Sequence, residues 1–250
     1  MNLRFDRQVV AVSGAGHGFG RAIARRFAEL GAVVHGCDLS ADELAETAAG
    51  HGIETAVVDL TDRAAGAAWI KAIEAHGRAL DVLVNNAGGV AGQVPVALED
   101  VPDADWDRIF DVNVNAAMVL SRAAAPGMKR AGAGRIVNIS SGAGLQASLT
   151  GIQAYCSAKH AVVGLTRQLA HELGPFGITV NSVAPGLIVS NPDTEKQWAS
   201  YGAAGQQAAV ERIALRRLGA PADIANAVLF FASDLAGFVN GQILSVDGGR

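Results

Sequence analysis

A doubly wound α/β sheet, with seven parallel strands and helices on both faces, is the fold this sequence predicts, and three observations predict it. Short β-branched runs alternate with longer stretches of helical spacing along the 250 residues, which implies parallel strands joined by right-handed crossovers. The runs are apolar at consecutive positions, as a sheet covered on both sides requires. The hydrophobic share of 50% is enough for one sizeable core, and the length suits a single domain over residues 1–250.

The first run, QVVAVS (8–13), leads through a glycine turn into a helix marked by Ile23, Phe27 and Leu30. AVVHGC (32–37) is the second strand, and Ser40 has the chemistry to cap the helix SADELAE. ETAVV (54–58) is the third, followed by a helix carrying Ile70 and Ile73. DVLVN (81–85) precedes a long helix at 103–125, and RIVNIS (135–140) precedes another at 155–173. ITVNSV (178–183) and QILSV (242–246) complete the set. From Pro185 to about Gly219 charge, glycine, Trp198 and Tyr201 mix without a clear period. That stretch reads as an irregular substrate-loop insertion above the sheet, at about 186–218.

Composition excludes several classes of function. The formal charge of −4 is modest and no run of like charge stands out, so neither a nucleic-acid groove nor an anionic membrane surface is indicated. Cys37 and Cys156 are far apart and lack metal-ligand spacing, so no disulfide framework and no metal site are expected. No segment holds the roughly 18 apolar residues of a membrane span, and no apolar leader opens the chain. A soluble, cytoplasmic protein with a small-molecule partner is the expectation.

The first strand ends in SGAGHGFGRAIARRF. The G-x-G-x-x-G template fails because Phe19 takes the third glycine's place, whereas G-x-x-x-G-x-G fits through Gly14, Gly18 and Gly20, with Gly16 extra. Missing side chains let backbone approach a pyrophosphate, and the following helix offers free N–H groups and its positive end. The second strand reaches Asp38, 18 residues after Gly20, near the spacing of about 20 at which an acidic residue meets the adenine ribose. A carboxylate there accepts from both ribose hydroxyls and repels a 2′-phosphate, so NAD is favoured over NADP. Asp59, ending the third strand, either touches the adenine or caps the next helix. NNAG (85–88) lies at the carboxyl edge of the fourth strand, where it forms either a cofactor wall or a simple turn.

Together these stretches resemble the short-chain dehydrogenase/reductase family in its basic, NAD-preferring form. The resemblance rests on G-x-x-x-G-x-G at 14–20, NNAG at 85–88, Asn113 in DVNVNA, the serine pair of VNISSGAG, Y-x-x-x-K at 155–159, and the PG of Pro185 and Gly186. It spans nearly the whole chain and implies a Rossmann-type fold. It also implies a catalytic tetrad of Asn113, Ser141, Tyr155 and Lys159. Ser141, the second of the serine pair, is taken as the catalytic one, and Ser140 as a capped strand end. Cofactor contacts are implied for Ser13, His17, Phe19 and Leu39 around the glycine loop and ribose, and for Leu60 beside Asp59. They are implied also for Asn86, Ala87 and Gly88, and for Ile188 and Ser190 after Pro185 and Gly186. His17 and Leu39 stand where members using NADP often carry a basic residue, which again favours NAD.

Positions i and i+4 of a helix share a face, so Tyr155 and Lys159 reach one ligand. Interconverting a secondary alcohol and a ketone needs a positioned acid or base. A free tyrosine titrates near 10, and a neighbouring ammonium lowers that value. The resemblance assigns Lys159 also to the nicotinamide ribose, Ser141 to the substrate oxygen, and Asn113 to a water that relays protons from Lys159. The substrate pocket is expected to involve Ser141, Gln146, Gln153 and Trp198. Trp198 and Tyr201 are either an apolar lid or packing within their own segment.

The reading is an NAD-dependent oxidoreductase for a secondary alcohol or ketone with some apolar body. Two alternatives stand beside it: a 3-oxoacyl-[acyl-carrier-protein] reductase, against which Asp38 and the negative charge count, and a dinucleotide-sensing protein without catalysis. The resemblance implies a homotetramer paired through the helices at 103–125 and 155–173.

Overall fold

In the computed structural model, which describes residues 3–75 and 77–250, seven strands form one sheet in the order β3-β2-β1-β4-β5-β6-β7. They are β1 (Val9–Ser13), β2 (Val33–Asp38), β3 (Glu54–Val57), β4 (Val82–Asn85), β5 (Gly134–Ile139), β6 (Ile178–Pro185) and β7 (Ile243–Val246). Every neighbouring pair is parallel. Each strand matches a run read from the sequence to within two residues.

Successive residues of a strand point to opposite faces, and the core divides accordingly. Val10 and Val12 face α1 (Gly18–Glu29) and α9 (Pro221–Ala232), packing with Ile23, Phe27 and Val228. Val9 and Ala11 face the other way, toward α3 (Arg63–Glu74), α5 (Ala116–Ala131) and α6 (Gln153–Leu173), packing with Ile70, Leu120 and Met128. Each such fully buried side chain contributes roughly 1.5–3 kcal/mol.

The two edge strands depart from the expectation of burial on both faces. Val57 of β3 is 61% exposed and Leu244 of β7 is 40% exposed. Central strands are covered by helices on both sides; at the edges the helices run out, and a continuous apolar run is no longer proof of cover.

Two helical expectations are also revised. The helix predicted at 103–125 comprises α4 (Asp103–Phe110) and α5, joined by a π turn at Asp111–Asn115. Such single wide turns occur often at functional positions. The stretch at 186–218 is not irregular: it holds α7 (Pro192–Ser200) and α8 (Gly202–Glu211). Asn191 and Thr194 form a reciprocal capping box at the start of α7, and Gly202 turns between the helices with φ +62°. Neither helix buries a residue fully, which is why no apolar stripe marks them. Among the described residues no helix is long and apolar enough to cross a membrane.

Candidate active site

The strand order reverses between β1 and β4, and the crevice outside their carboxyl ends is where open α/β sheets take ligands. The glycine loop fills one side of it. Gly14 has φ +66°, and a Cβ there would lie 2.9 Å from the Ala87 Cα. A Cβ on Gly20 would run into the Gly14 carbonyl oxygen. Gly18 has φ +53°, and its missing Cβ is replaced by Ser190, whose Oγ lies 3.3 Å from that position. His17 precedes α1 without a side-chain cap, and the first turn carries no acidic residue. By contrast α2 (Ala41–Ala48) and α3 are capped by Ser40 and Asp62. The free N–H groups at α1 fit an anionic group such as a pyrophosphate.

Asp38 lies against this loop. One oxygen accepts from the Gly16 N–H at 2.8 Å and the other from the Leu39 N–H at 2.7 Å. Each oxygen keeps a further lone-pair site, as a carboxylate binding ribose hydroxyls needs. Ser40, not Asp38, caps α2 by accepting from the Glu43 N–H. The alternative role for Asp59 as a helix cap is not borne out: α3 is capped by Asp62. Asp59 instead accepts from the Thr61 N–H and hydroxyl, which hold its carboxyl below the usual range.

Several cofactor candidates have side chains that turn away from the crevice. The Ser13 hydroxyl is buried, donates to the Val84 carbonyl and accepts from the Asn86 and Ala87 N–H groups. It ties β1 to β4. Phe19, half-buried, packs against the core beneath α1; Leu60 and Ile188 are themselves core residues, which leaves their backbone to meet a ligand. Leu39 is exposed. Asn86 Nδ2 donates to the Ser13 and Gly14 carbonyls at 3.0 and 2.9 Å, so it braces the loop from the β4 side. Gly186, after Pro185 at the end of β6, packs on Asp247.

Sequence reading missed two residues that hold this loop. The fully buried Thr47 of α2 donates its hydroxyl to the Ala15 and Gly16 carbonyls at 2.9 and 3.1 Å. Arg21 of α1 also donates to the Gly16 carbonyl and pairs with Glu46. A threonine in a helix carries no signal of the loop it will meet; Arg21 lies inside the glycine segment and is the one that signal could have flagged.

The tetrad candidates converge at the ends of β4 and β5. Asn113 sits in the π turn, buried, with its Nδ2 donating to the Gly89 and Ile109 carbonyls and its Oδ1 accepting from the Gly89 N–H. Both Nδ2 hydrogens are therefore engaged by protein, and a relayed water has to use other groups. A Cβ on Gly88 would lie 2.5 Å from Asn113 Oδ1 and 3.3 Å from Lys159 Nζ: the glycine of NNAG is the gap through which these side chains come together. Ser140 donates to the Lys159 carbonyl at 3.0 Å, fixing the end of β5 to α6. Ser141 caps a short turn by accepting from the Ala143 N–H and lies near enough to the Tyr155 phenol to draw its titration downward.

Lys159 is buried and donates to the Ile139 carbonyl at 3.0 Å. Its Nζ lies 5.7 Å from the centre of the Tyr155 ring. Burial lowers the ammonium to about 8. Burial also pushes the Tyr155 phenol above its ordinary value, and the hydrogen bond from Ser141 pulls it only part of the way back. The expectation of a phenol acidified by lysine is not met by these side chains: burial sets the direction of the phenol's shift, and the ammonium lies over the ring with no offsetting effect on it.

The pocket candidates divide. Gln153 donates its amide to the Val96 carbonyl at 3.0 Å, so it anchors a loop. Gln146 is exposed and offers its carbonyl to the Cys156 thiol. Trp198 meets Tyr201 edge-on at 5.9 Å, which is packing within the α7–α8 pair. Among the described residues no cluster of His, Cys, Asp and Glu could hold a metal ion.

A glycine-rich strand-to-helix turn beside a serine, a tyrosine and a buried lysine defines a class: oxidoreductases that act on CH–OH groups with a pyridine nucleotide. Comparison with known proteins agrees. A family profile described as enoyl-(acyl carrier protein) reductase matches residues 14–250. The chain is 42% identical, over 98% of its length and 97% of the relative's, to (2S)-[(R)-hydroxy(phenyl)methyl]succinyl-CoA dehydrogenase subunit BbsD of Thauera aromatica. It is 35% identical, over 99% of both chains, to 3-oxoacyl-[acyl-carrier-protein] reductase FabG of Thermotoga maritima. A solved structure from Beutenbergia cavernae, described as an NAD(P)-dependent gluconate 5-dehydrogenase with bound NADP, superposes with a TM-score of 0.88 at 37% identity, covering 99% of this chain and 98% of that one. The chain belongs to the short-chain dehydrogenase/reductase family.

Proposed function

We propose that this protein interconverts a secondary alcohol and a ketone with NAD as the preferred dinucleotide, and that Tyr155 is the acid and base. The observation that carries the reading is the convergence of Ser141, Tyr155 and Lys159 beside the glycine loop. The bound dinucleotide supplies or accepts the hydride. It would lie along Gly14–Gly20, with the adenosine ribose at Asp38 and the nicotinamide end between Gly88, Pro185 and Ser190. Asp38 supports NAD because a 2′-phosphate brought to its carboxylate meets like charge.

The substrate oxygen takes hydrogen bonds from Tyr155 and Ser141, and the serine hydroxyl stabilises charge that grows there. In the reducing direction the phenol gives its proton to the forming alkoxide, which its raised value suits at neutral pH. In the oxidising direction Tyr155 has to act as the phenolate, which takes the alcohol proton and becomes phenol again, and the charged form of the nearby Lys159 favours that phenolate. Lys159 would hold a ribose hydroxyl of the dinucleotide, and Asn113 holds the Gly88–Gly89 backbone next to it. The fully exposed Phe238 and the open β7 edge support assembly into a homotetramer, and two unbridged cysteines support a cytoplasmic setting.

A 3-oxoacyl thioester reductase is the second reading, favoured by the 35% identity to the Thermotoga enzyme. Initial rates on neutral secondary alcohols with NAD and NADP test both. Expected are a preference for NAD and a loss of more than about a thousandfold in kcat for Tyr155→Phe, with NADH affinity within threefold of the parent. Activity of the Phe variant above a few per cent removes Tyr155 from its role; a clear preference for NADPH with an acyl thioester moves the assignment to the reductase.

A further inference from the structure

The loops that follow β4 and β5 border the tetrad, and neither carries a charge: residues 88–98 read GGVAGQVPVAL and residues 141–153 read SGAGLQASLTGIQ. The structure brings them together. Gln153 donates to the Val96 carbonyl at 3.0 Å, and Gly151, at φ +67°, leaves only 3.1 Å between the Pro95 Cβ and the place its own Cβ would occupy. Inside the mouth, Val90 and Ile152 pack with Tyr155 around the buried Ile109. Outside it, Val94 is 69% exposed, Leu98 74% and Leu149 55%. An apolar surface therefore continues from the phenol to the rim. Scattered exposed apolar residues need no explanation, but a contiguous set at the lip of a site does.

One flank of this rim is strongly acidic. Glu99, Asp100, Asp103, Asp105 and Asp107 follow Leu98 directly, and Arg108 is the only cation between residues 99 and 108. Gln93 donates to the Asp105 carbonyl, which holds the apolar loop against the start of α4. Among the described residues none of these five carboxylates forms an ion pair. The five carboxylates outnumber Arg108, so an anion approaching Leu98 meets net negative charge, which salt screens over about 8 Å.

From this we infer the substrate class, resting on the oxidoreductase reading above: an uncharged ketone or secondary alcohol with an apolar body, with carboxylate- and phosphate-bearing substrates disfavoured at the mouth. Coenzyme A and carrier-protein thioesters fall in the disfavoured set, in contrast to the substrates for which the two relatives are named.

The test is a matched pair, methyl 4-acetylbenzoate and 4-acetylbenzoate, reduced with NADH by the full chain at low and high salt. The ester is expected to exceed the carboxylate in kcat/KM by about tenfold at low salt, the gap shrinking as salt screens the rim. The double variant Glu99→Gln, Asp100→Asn should narrow the gap by raising the carboxylate's value and leave the ester's unchanged. A carboxylate equal to or better than the ester, or acetoacetyl-CoA better than both, overturns the substrate class and leaves the oxidoreductase reading standing. No turnover of either compound, nor of any neutral secondary alcohol, with either dinucleotide removes the underlying reading instead.

Discussion

The two sides of the crevice are built differently. On the dinucleotide side the shape is set by backbone: Gly14, Gly18 and Gly20 leave space that a side chain would close, and Asn86, Thr47 and Arg21 hold loop carbonyls from three directions. On the substrate side the shape is set by single side-chain contacts, such as Gln153 on the Val96 carbonyl, and by exposed apolar residues. A backbone-built wall tolerates almost no substitution, whereas a wall of side chains can be re-cut one residue at a time. One fold can thereby keep its cofactor and change its substrate.

The harshest way to break this contrast is Gly20→Ala. Its Cβ would collide with the Gly14 carbonyl oxygen, a backbone atom that cannot swing aside. The expected loss in NADH affinity is at least about a hundredfold, on the order of 3 kcal/mol, read by fluorescence titration. Gly50→Ala separates crowding from strain: Gly50 also has a positive φ, +76°, but nothing lies within 4 Å of its absent Cβ. That variant should lose about 1 kcal/mol of stability and keep its NADH affinity. Equal affinities for the two variants would mean that the loop can move and that its glycines do not shape the site.

Lys159 stands between the two sides, and its titration sharpens the comparison. Its value in the folded chain is about 8, against an ordinary 10.5, because burial penalises the ammonium. Between those two values the unfolded chain holds more protons than the folded one, so this residue makes stability rise with pH across that window. Lys159→Met removes the effect. The difference in unfolding free energy between variant and parent, measured by urea titration without dinucleotide, should shift in the parent's favour by up to roughly 3 kcal/mol from pH 7 to 10. Tyr155, raised by burial, acts with the opposite sign only above pH 10, outside that range. Parallel curves for the two proteins would mean that the ammonium is not buried as described.

How much of this was legible beforehand follows the same division. The seven strands were readable because β-branched runs and glycine punctuation are local signals, and the placing of Tyr155 and Lys159 on one helix because a four-residue spacing is local too. Phenol acidity was not: the spacing of Tyr155 and Lys159 shows that they share a face, but it does not show that both are desolvated. Nor was the order in 192–211, where two helices lie on the surface without a buried stripe and the apolar periodicity that reveals helices is missing. Ser13 spends its hydroxyl on the junction of β1 and β4 and Phe19 turns its ring to the core, contacts that a glycine-rich motif does not show, since one position can face a ligand with its backbone and the core with its side chain.

The mildest expected effect comes from Gln153→Ala. This amide ties the start of α6 to the loop that carries Val94 and Val96. Its bond is exposed, and such a bond contributes about 1 kcal/mol or less. Loosening it should move the apolar rim without touching Tyr155, so KM for a neutral ketone should rise by roughly three- to fivefold, a change of about 1 kcal/mol or less. The NADH affinity and the melting temperature should stay near the parent's. Gln153→Glu removes the donated hydrogen bond as well and adds an anion facing the Val96 carbonyl, so it should raise KM further. If instead kcat collapses with KM unchanged, the residue touches the reacting atoms, and the substrate wall is as tightly built as the cofactor wall opposite.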